Sequence, residues 1–167
     1  MSAVVLACNS FHENLDAYND LFNTIAPKFG IEPNLVKAHC EYESNGDAKV
    51  VGGSGRGLGL MQIDWGTYKD DDGKWWYSSV HGRTDQIFEP SINIKIACRD
   101  FLAPLKVAFP ENLLARIAGY NAGIGAVETA LEHGTPLSQV TYDPNYVRNI
   151  LRAFDWFDEL SSHQANT

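Results

Sequence analysis

The stretch from residue 41 to residue 64, EYESNGDAKVVGGSGRGLGLMQID, holds the residues best suited to acid–base chemistry. Glu43 falls where a helical pattern ends, so the negative end of the helix dipole opposes a second negative charge on its carboxyl group. An apolar surrounding acts in the same direction, and both effects raise a carboxyl pKa. A carboxyl group that keeps its proton near neutral pH can act as a general acid toward a glycosidic oxygen. The alternative is a solvated acid at a helix end.

The residues after Glu43 could form the rest of a carbohydrate-binding cleft. The glycine-rich run would allow a polymer to lie against bare backbone near the helix end. Gln62 can donate and accept hydrogen bonds with sugar hydroxyl and amide groups. If GLMQID is a strand, Asp64 faces the same side as Gln62, and its carboxylate could orient an attacking water. A phosphate-binding loop is disfavoured, because no Gly-Lys-Ser/Thr sequence ends the glycine-rich run.

These motifs, taken in order, resemble the signature of goose-type lysozymes. The matching segments are ES, the glycine-rich loop, GLGLMQID and then IAGYNAGIGAV, within a span from Ile31 to Asp155. Goose-type lysozymes share a fold core with soluble lytic transglycosylases, and both cleave the MurNAc–GlcNAc linkage of peptidoglycan. GLMQID favours the goose-type branch, because transglycosylases more often carry a proline motif after the glutamine.

The resemblance implies a role for each matching residue. Glu43 would be the catalytic acid, and Asp64 would help to hold the attacking water. The positions that resemble substrate contacts or neighbours of the acid are Ser44, Gln62, His81, Tyr120, Asn121 and Tyr146. The resemblance implies no metal and no organic cofactor, and it makes the glycan strands of peptidoglycan the binding partner.

One departure from the goose-type pattern leaves the second half of the reaction open. Several members have an additional aspartate eleven residues before the position of Asp64, where this chain has Gly53. Either Asp47 substitutes for it or Asp64 acts alone. If water is poorly positioned, the MurNAc 6-hydroxyl could attack instead and leave a 1,6-anhydro product. A non-catalytic glycan-binding or assembly protein is a further alternative.

Aromatic and histidine residues outside the matching motifs have two interpretations each. Trp75 or Trp76 could line a saccharide groove, since flat rings suit the apolar faces of sugars, or they could roof a small lobe. The acidic run at residues 70–73 is interpreted as a solvated turn, because positions one and twelve of a calcium loop would lack carboxylates. His39 is predicted to be a packed core histidine rather than a metal ligand.

Hydrophobic periodicity and turn residues predict a mostly helical fold with one domain over residues 1–167, and the resemblance implies that it is the α+β fold of the lysozyme type. A small irregular or β lobe is predicted near residues 50–83, where the periodicity disappears. The tail from residue 161 is predicted to be frayed. The predicted helical stretches are 13–30, 32–46, 90–109, 111–123, 125–134 and 144–160.

Composition narrows the possible partners. The 167 residues include 13 basic and 21 acidic side chains, and the resulting formal charge of −8 argues against a nucleic-acid partner. No apolar run is long enough to span a bilayer, so we expect no stable membrane association. We expect a monomer, with a proteinaceous inhibitor or immunity protein as a possible partner.

The cysteines and the start of the chain bear on the compartment. Cys8, Cys40 and Cys98 form no disulfide or zinc pattern, and reduced thiols are favoured, although a bridge from Cys98 to either of the others stays open. The segment MSAVVLACNSF lacks the basic flank of a signal peptide. We therefore expect action on the cell wall, in the periplasm or outside the cell, after phage lysis, transfer by a secretion system or removal of a signal.

Overall fold

The computed structural model describes residues 14–53, 56–64 and 84–165, and it confirms the mostly helical fold class. The α-helices are α1 (Asn19–Ile25), α2 (Pro33–Ser44), α3 (Pro90–Ile96), α4 (Ala103–Ala108), α5 (Leu113–Ala122), α6 (Ile124–His133) and α7 (Tyr146–Ala165). Short 3-10 turns occupy Ala26–Phe29, Thr84–Phe88 and Leu137–Gln139. Among the described residues, no helix is both long enough and apolar enough to cross a membrane.

Helix α2 begins and ends where its sequence predicts. Pro33 occupies the first turn, where an N–H would have no partner within the helix. Asn45, with φ 51°, and Gly46, with φ 79°, then take the left-handed conformation that ends a helix. A Cβ atom on Gly46 would lie 2.9 Å from the Asn14 carbonyl oxygen, so a side chain does not fit there. These residues place Glu43 in the last turn of α2.

The main core lies between α2 and α7, with α1 and α3 packed beside them. His39 of α2 is fully buried, which confirms its predicted place in the core, and Cys40 beside it is fully buried as well. Cys40 and Cys98 are free thiols, so the Cys40–Cys98 bridge left open by the sequence is not formed. Cys8 lies outside the described residues.

Helix α7 is longer than its sequence predicts. It continues to Ala165, so the expectation of a frayed tail from residue 161 is wrong for residues 161–165. Asn34, at the start of α2, donates from Nδ2 to Asp158 Oδ1 at 2.6 Å and to Ser161 Oγ at 3.2 Å. These bonds from a distant element hold the last turns in place, and local helix signals do not reveal them.

The stretch over residues 90–109, predicted as one helix, is a continuous helical segment whose helix type changes in the middle. A π-helical segment, Ala97–Leu102, joins α3 to α4. Pro104, the second residue after this segment, lacks the N–H that an uninterrupted helix would use. A wider turn at this point accommodates the proline without ending the helix.

The described part of the predicted β lobe is a short antiparallel hairpin. Its strands are β1 (Gly57–Leu58) and β2 (Ile63–Asp64), with Gly57 opposite Asp64. Residues 54–55 and 65–83 of the lobe lie outside the described residues.

Asn93, a fully buried polar residue of α3, connects the hairpin to the helices. Its Nδ2 donates to the carbonyl oxygens of Leu58 and Ile87, both at 2.9 Å, and its Oδ1 accepts from Met61 N at 2.7 Å. Gly59, with φ 70°, passes so close that a Cβ there would lie 2.6 Å from Nδ2. One amide group and one glycine therefore fix the hairpin against α3.

Replacing Asn93 by Ala should lower the free energy of unfolding by about 2–4 kcal/mol, because three buried backbone groups lose their partner. Urea denaturation followed by circular dichroism measures the change. Gln139→Ala, which removes an exposed amide, is the matched control and should change stability by less than about 0.5 kcal/mol. An equal effect of the two substitutions would show that Asn93 does not hold the hairpin.

Candidate active site

Glu43 is a partly buried acid in direct contact with a buried phenol. The hydroxyl group of Tyr146, the first residue of α7, donates to Glu43 Oε1 at 2.6 Å. Burial raises the pKa of the Glu43 carboxyl group from 4.5 to about 7, and the hydrogen bond from Tyr146 opposes part of that rise. The direction agrees with the sequence-based expectation, and desolvation is its main cause. Glu43 can therefore hold or release a proton near neutral pH.

Tyr146 is held on several sides. Its ring is 1% exposed, and the ring of Tyr42 meets it edge-on with centroids 4.8 Å apart. The hydroxyl of Tyr42 in turn donates to Asp143 Oδ2 at 2.5 Å. On another side, His39 Nδ1 lies 3.3 Å from the Tyr146 hydroxyl oxygen. These contacts therefore hold the side chain of Tyr146, the partner of the acid, in one orientation.

A cavity of about 490 Å³ lies between the hairpin and α5. Its lining includes Asp64, Tyr120 and Asn121, three of the residues predicted to belong to one site. The Tyr120 hydroxyl donates to the Met61 carbonyl oxygen at 2.8 Å. Asn121 Oδ1 accepts from Tyr142 N at 2.9 Å. These contacts join the hairpin, α5 and the segment before α7 around one open space.

Glu43 itself is not among the described residues that line this cavity. It is linked to the cavity through rings: Tyr146 contacts Glu43, and His39 lies against Tyr120 with ring centroids 4.6 Å apart. An aromatic cluster, which comprises His39, Tyr120 and Tyr146, therefore connects the acid to the wall of the cavity.

Asp64 lies on β2 and forms an ion pair that the sequence did not predict. Arg56 contacts it with two nitrogens, Nη2 at 3.0 Å from Oδ2 and Nε at 3.2 Å from Oδ1. Both side chains are partly exposed and both line the cavity. The signal in the sequence was Arg56 itself, the one cation within the glycine-rich run. The pairing required knowing that Gly57 lies opposite Asp64.

Gln62 does not lie in a strand, so the argument from strand alternation is wrong for this residue. It occupies the turn before β2 in the left-handed region, with φ 45°. Its Nε2 donates to the carbonyl oxygens of Gly59 at 3.0 Å and Val50 at 3.4 Å. A Cβ on Gly57 would lie 2.7 Å from its Oε1. The amide group supports the hairpin from inside, and contact with sugar stays a prediction.

Ser44 and Asp47 have local structural contacts. Ser44 Oγ donates to the Cys40 carbonyl oxygen at 3.1 Å and accepts from Gly46 N at 3.2 Å. Exposed Asp47 accepts from Lys49 N at 2.8 Å. The other two predicted contacts, Trp75 and His81, lie outside the described residues.

Glu41 faces away from Glu43, as helical geometry predicts for residues two apart. It lines a different cavity, of about 410 Å³, together with Asn45 and Asn149. Burial raises the pKa of Glu41 to about 7 as well, with Lys37 opposing the rise. A raised pKa therefore does not distinguish the two acids, whereas the tyrosine contact does.

Comparison with known proteins gives a family match over most of the chain. The transglycosylase SLT domain family matches residues 20–137. Among solved structures, an inactive mutant of the lytic transglycosylase Slt from Pseudomonas aeruginosa has a TM-score of 0.68 and 24% sequence identity. The match covers 87% of this chain and 24% of that one, so this chain spans about a quarter of its length. The lysozyme-like fold predicted from the sequence is confirmed.

Glu43→Gln should stabilise the protein at pH 8 and leave its stability nearly unchanged at pH 4. Because the pKa of Glu43 rises from 4.5 to about 7 on folding, the wild type loses stability as pH increases between these values. Glutamine cannot ionise, so the difference in unfolding free energy should reach about 1–3 kcal/mol above pH 7.

Thermal denaturation at the two pH values measures this difference. The ionisation of Glu41 contributes equally to the unfolding free energies of the two proteins, so its contribution cancels in their difference. The matched control is Glu132→Gln, which removes a solvent-exposed carboxyl group from α6. A stability difference between Glu43→Gln and wild type that is the same at pH 4 and pH 8 would contradict the buried ionisation of Glu43.

Proposed function

The chain belongs to the transglycosylase SLT domain family, and on this premise we propose that it cleaves the glycan strands of peptidoglycan as a lytic transglycosylase. The observation that carries the proposal is the contact between Glu43 and Tyr146 at 2.6 Å, which holds a buried acid with a pKa of about 7. Such a group can give a proton and take one back within a single reaction.

In the proposed reaction, Glu43 serves first as the acid and then as the base. The protonated carboxyl group gives its proton to the oxygen that links MurNAc C1 to GlcNAc, and the bond from C1 to that oxygen breaks. The resulting carboxylate accepts the proton of the MurNAc 6-hydroxyl, whose oxygen bonds to C1. The products are a new GlcNAc end and a 1,6-anhydro-MurNAc end, and Glu43 regains its proton. Tyr146 stabilises the carboxylate between these steps by donating to Oε1.

The ion pair of Asp64 favours this route over hydrolysis. A muramidase that inverts or retains configuration uses a second carboxylate to activate water or to attack C1. Both oxygens of Asp64 are engaged by the Arg56 guanidinium group, at 3.0 and 3.2 Å. We propose that Asp64 and Arg56 shape the cavity wall, with Tyr120 and Asn121 as the sugar contacts on the opposite side.

The second candidate is goose-type hydrolysis, in which Asp64 orients a water molecule. One observation favours it: GLMQID is followed by tryptophan rather than by the proline motif more common in transglycosylases. In this candidate, Asp64 would have to exchange its contact with Arg56 for one with water when substrate binds.

Peptidoglycan as substrate places the action of this protein in the periplasm or at the cell wall. The routes expected from the sequence, phage lysis, a secretion system or export with a signal, are all compatible with this site of action. The monomeric state, a proteinaceous inhibitor and a single catalytic domain over residues 1–167 also remain predictions.

Digestion of purified peptidoglycan, followed by mass spectrometry of the soluble muropeptides, should yield 1,6-anhydro-MurNAc ends. These ends are one water lighter than the reducing ends that a hydrolase leaves. Glu43→Gln should reduce product release by about 100-fold or more, because the amide cannot supply the proton. Reducing ends as the main product would instead assign the goose-type reaction.

Asp64→Asn separates the two candidates in the same assay. The transglycosylase proposal expects activity within about tenfold of wild type, since Asp64 transfers no proton, whereas loss of a general base costs about 100- to 10,000-fold. Arg56→Gln is the matched variant, because it removes the other partner of the ion pair and should have an effect of similar size. A severe loss in Asp64→Asn alone would favour hydrolysis.

A further inference from the structure

We propose that His39 is a positioning residue for the acid: its Nδ1–H group donates to the Tyr146 hydroxyl oxygen and thereby directs the Tyr146 proton onto Glu43 Oε1. The inference deepens the proposed function, on which it rests. Its consequence is that the proton for the substrate resides on the other oxygen of Glu43, Oε2. Neither the motifs nor the family match assigns a role to His39.

The Tyr146 hydroxyl group has two polar neighbours and a single proton. Glu43 Oε1 lies 2.6 Å from the hydroxyl oxygen, and His39 Nδ1 lies 3.3 Å from it. A phenol that donates to the carboxylate can only accept from the imidazole. Both contacts are hydrogen bonds at once only when His39 Nδ1 carries the hydrogen.

The state of the imidazole ring follows from its burial. His39 is completely buried, and burial lowers the pKa of the ring to about 3, so the ring is neutral and carries one N–H near pH 7. Its Nε2 has no hydrogen-bond partner among the described residues. A hydrogen on Nε2 would be a buried donor without an acceptor, and Nδ1 would then compete with Glu43 for the Tyr146 proton. We therefore assign the hydrogen to Nδ1.

The ring is held in the orientation that this contact needs. His39 lies four residues before Glu43 on α2, so the two side chains point from the same face of the helix. The Tyr120 ring packs against it at 4.6 Å, and the Tyr120 hydroxyl is anchored on the Met61 carbonyl oxygen at 2.8 Å. A flip of the imidazole would have to displace an aromatic ring that is itself hydrogen-bonded.

The hydrogen bond from His39 to Tyr146 excludes one of the two possible positions of the proton on Glu43. Without a donor at Nδ1, a protonated Glu43 could donate from Oε1 to the Tyr146 oxygen while Tyr146 donates to His39. The acid's proton would then point into the protein. With Nδ1–H in place, Tyr146 already accepts from His39 and donates to Oε1, so the acid's proton is left on Oε2. The accepted hydrogen bond also polarises the phenol and strengthens its bond to the carboxylate.

Few other titratable groups affect Glu43 from the described elements around it. Tyr42 and Cys40, on its own helix, and Tyr146, on α7, are the described groups whose ionisation its charge opposes. Asp143, in the segment before α7, reaches this cluster only through the Tyr42 hydroxyl. On the α5 side, Tyr120 faces the histidine. Tyr146 is therefore the group through which His39 can act.

The tautomer of His39 is measurable in the wild-type protein, without any substitution. In a sample with 15N-labelled histidine, the ring nitrogen shifts and their couplings to carbon-bound protons identify the protonated nitrogen. We expect the His39 proton on Nδ1 from about pH 5 to pH 8, in line with a neutral ring. Exposed His163 supplies the reference signals. A proton on Nε2 would overturn the proposal.

The effect on the acid is measured by titrating 13C-labelled glutamate carboxyl groups. The labelled protein carries Glu41→Gln, because Glu41 titrates in the same range as Glu43. His39→Leu should raise the pKa of Glu43 by about half a unit to one unit, because the Tyr146 bond that stabilises the carboxylate weakens. His39→Asn, which can donate from the δ position, should restore most of the wild-type value.

A second background separates positioning from packing. In Tyr146→Phe, which lacks the hydroxyl, His39→Leu should cause no further rise in the pKa of Glu43. A similar rise with and without the hydroxyl, or no rise in either, would overturn the proposal. If His39→Leu does not fold, the tautomer of His39 measured in the wild-type protein decides whether the proposal holds. These measurements need no substrate, so a protein that fails to cleave peptidoglycan would refute the proposed function without affecting this test.

Discussion

The site depends on one interaction, the hydrogen bond between a buried carboxyl group and a buried phenol. Burial raises the pKa of Glu43, and the Tyr146 hydroxyl, 2.6 Å away, lowers it again in part. The result, about 7, is the balance of two opposed effects. A displacement of α7 relative to α2 would lengthen the bond and admit water, and both effects would change together. The acid therefore needs a rigid pair of helices more than it needs a particular neighbouring charge.

The fold supplies that rigidity through polar contacts between distant elements. Asn34 holds the end of α7 to the start of α2, and Tyr42 holds the segment before α7 through Asp143. On the side of the cavity, Asn93 and Tyr120 tie the hairpin to α3 and α5. A buried polar group is costly unless it is satisfied, so the contacts of fully buried Asn93 select one arrangement of the hairpin and α3.

Two acids on α2 show why a raised pKa is not by itself a sign of catalysis. Burial raises the pKa of Glu41 and Glu43 alike, to about 7. Glu43 accepts a hydrogen bond from a phenol, and beyond that phenol an aromatic cluster reaches the cavity. A carboxyl group that must act as acid and then as base benefits from a donor that stabilises its charged form between the steps. The surroundings of the acid, rather than its pKa, indicate its role.

The sequence alone determined the local parts of this protein. Pro33 and the Asn45–Gly46 pair are local signals of backbone conformation, so the bounds of α2 and the place of Glu43 in its last turn could be predicted. The helical class and the buried position of His39 followed from periodicity in the same way. The matching motifs correctly indicated a lysozyme-like fold, although the family match is to transglycosylases rather than to the goose-type branch.

Only the tertiary structure decided which groups meet. Tyr146 lies 103 residues from Glu43, and no local pattern pairs them. The sequence paired Asp64 with no cation, but strand register places Arg56 against it. Gln62 was predicted to lie in a strand, but it occupies a left-handed turn that directs its amide hydrogens to backbone carbonyl oxygens. Residue spacing encodes backbone conformation over a few residues, whereas hydrogen-bond partners depend on how whole elements pack, and one sequence does not state that packing.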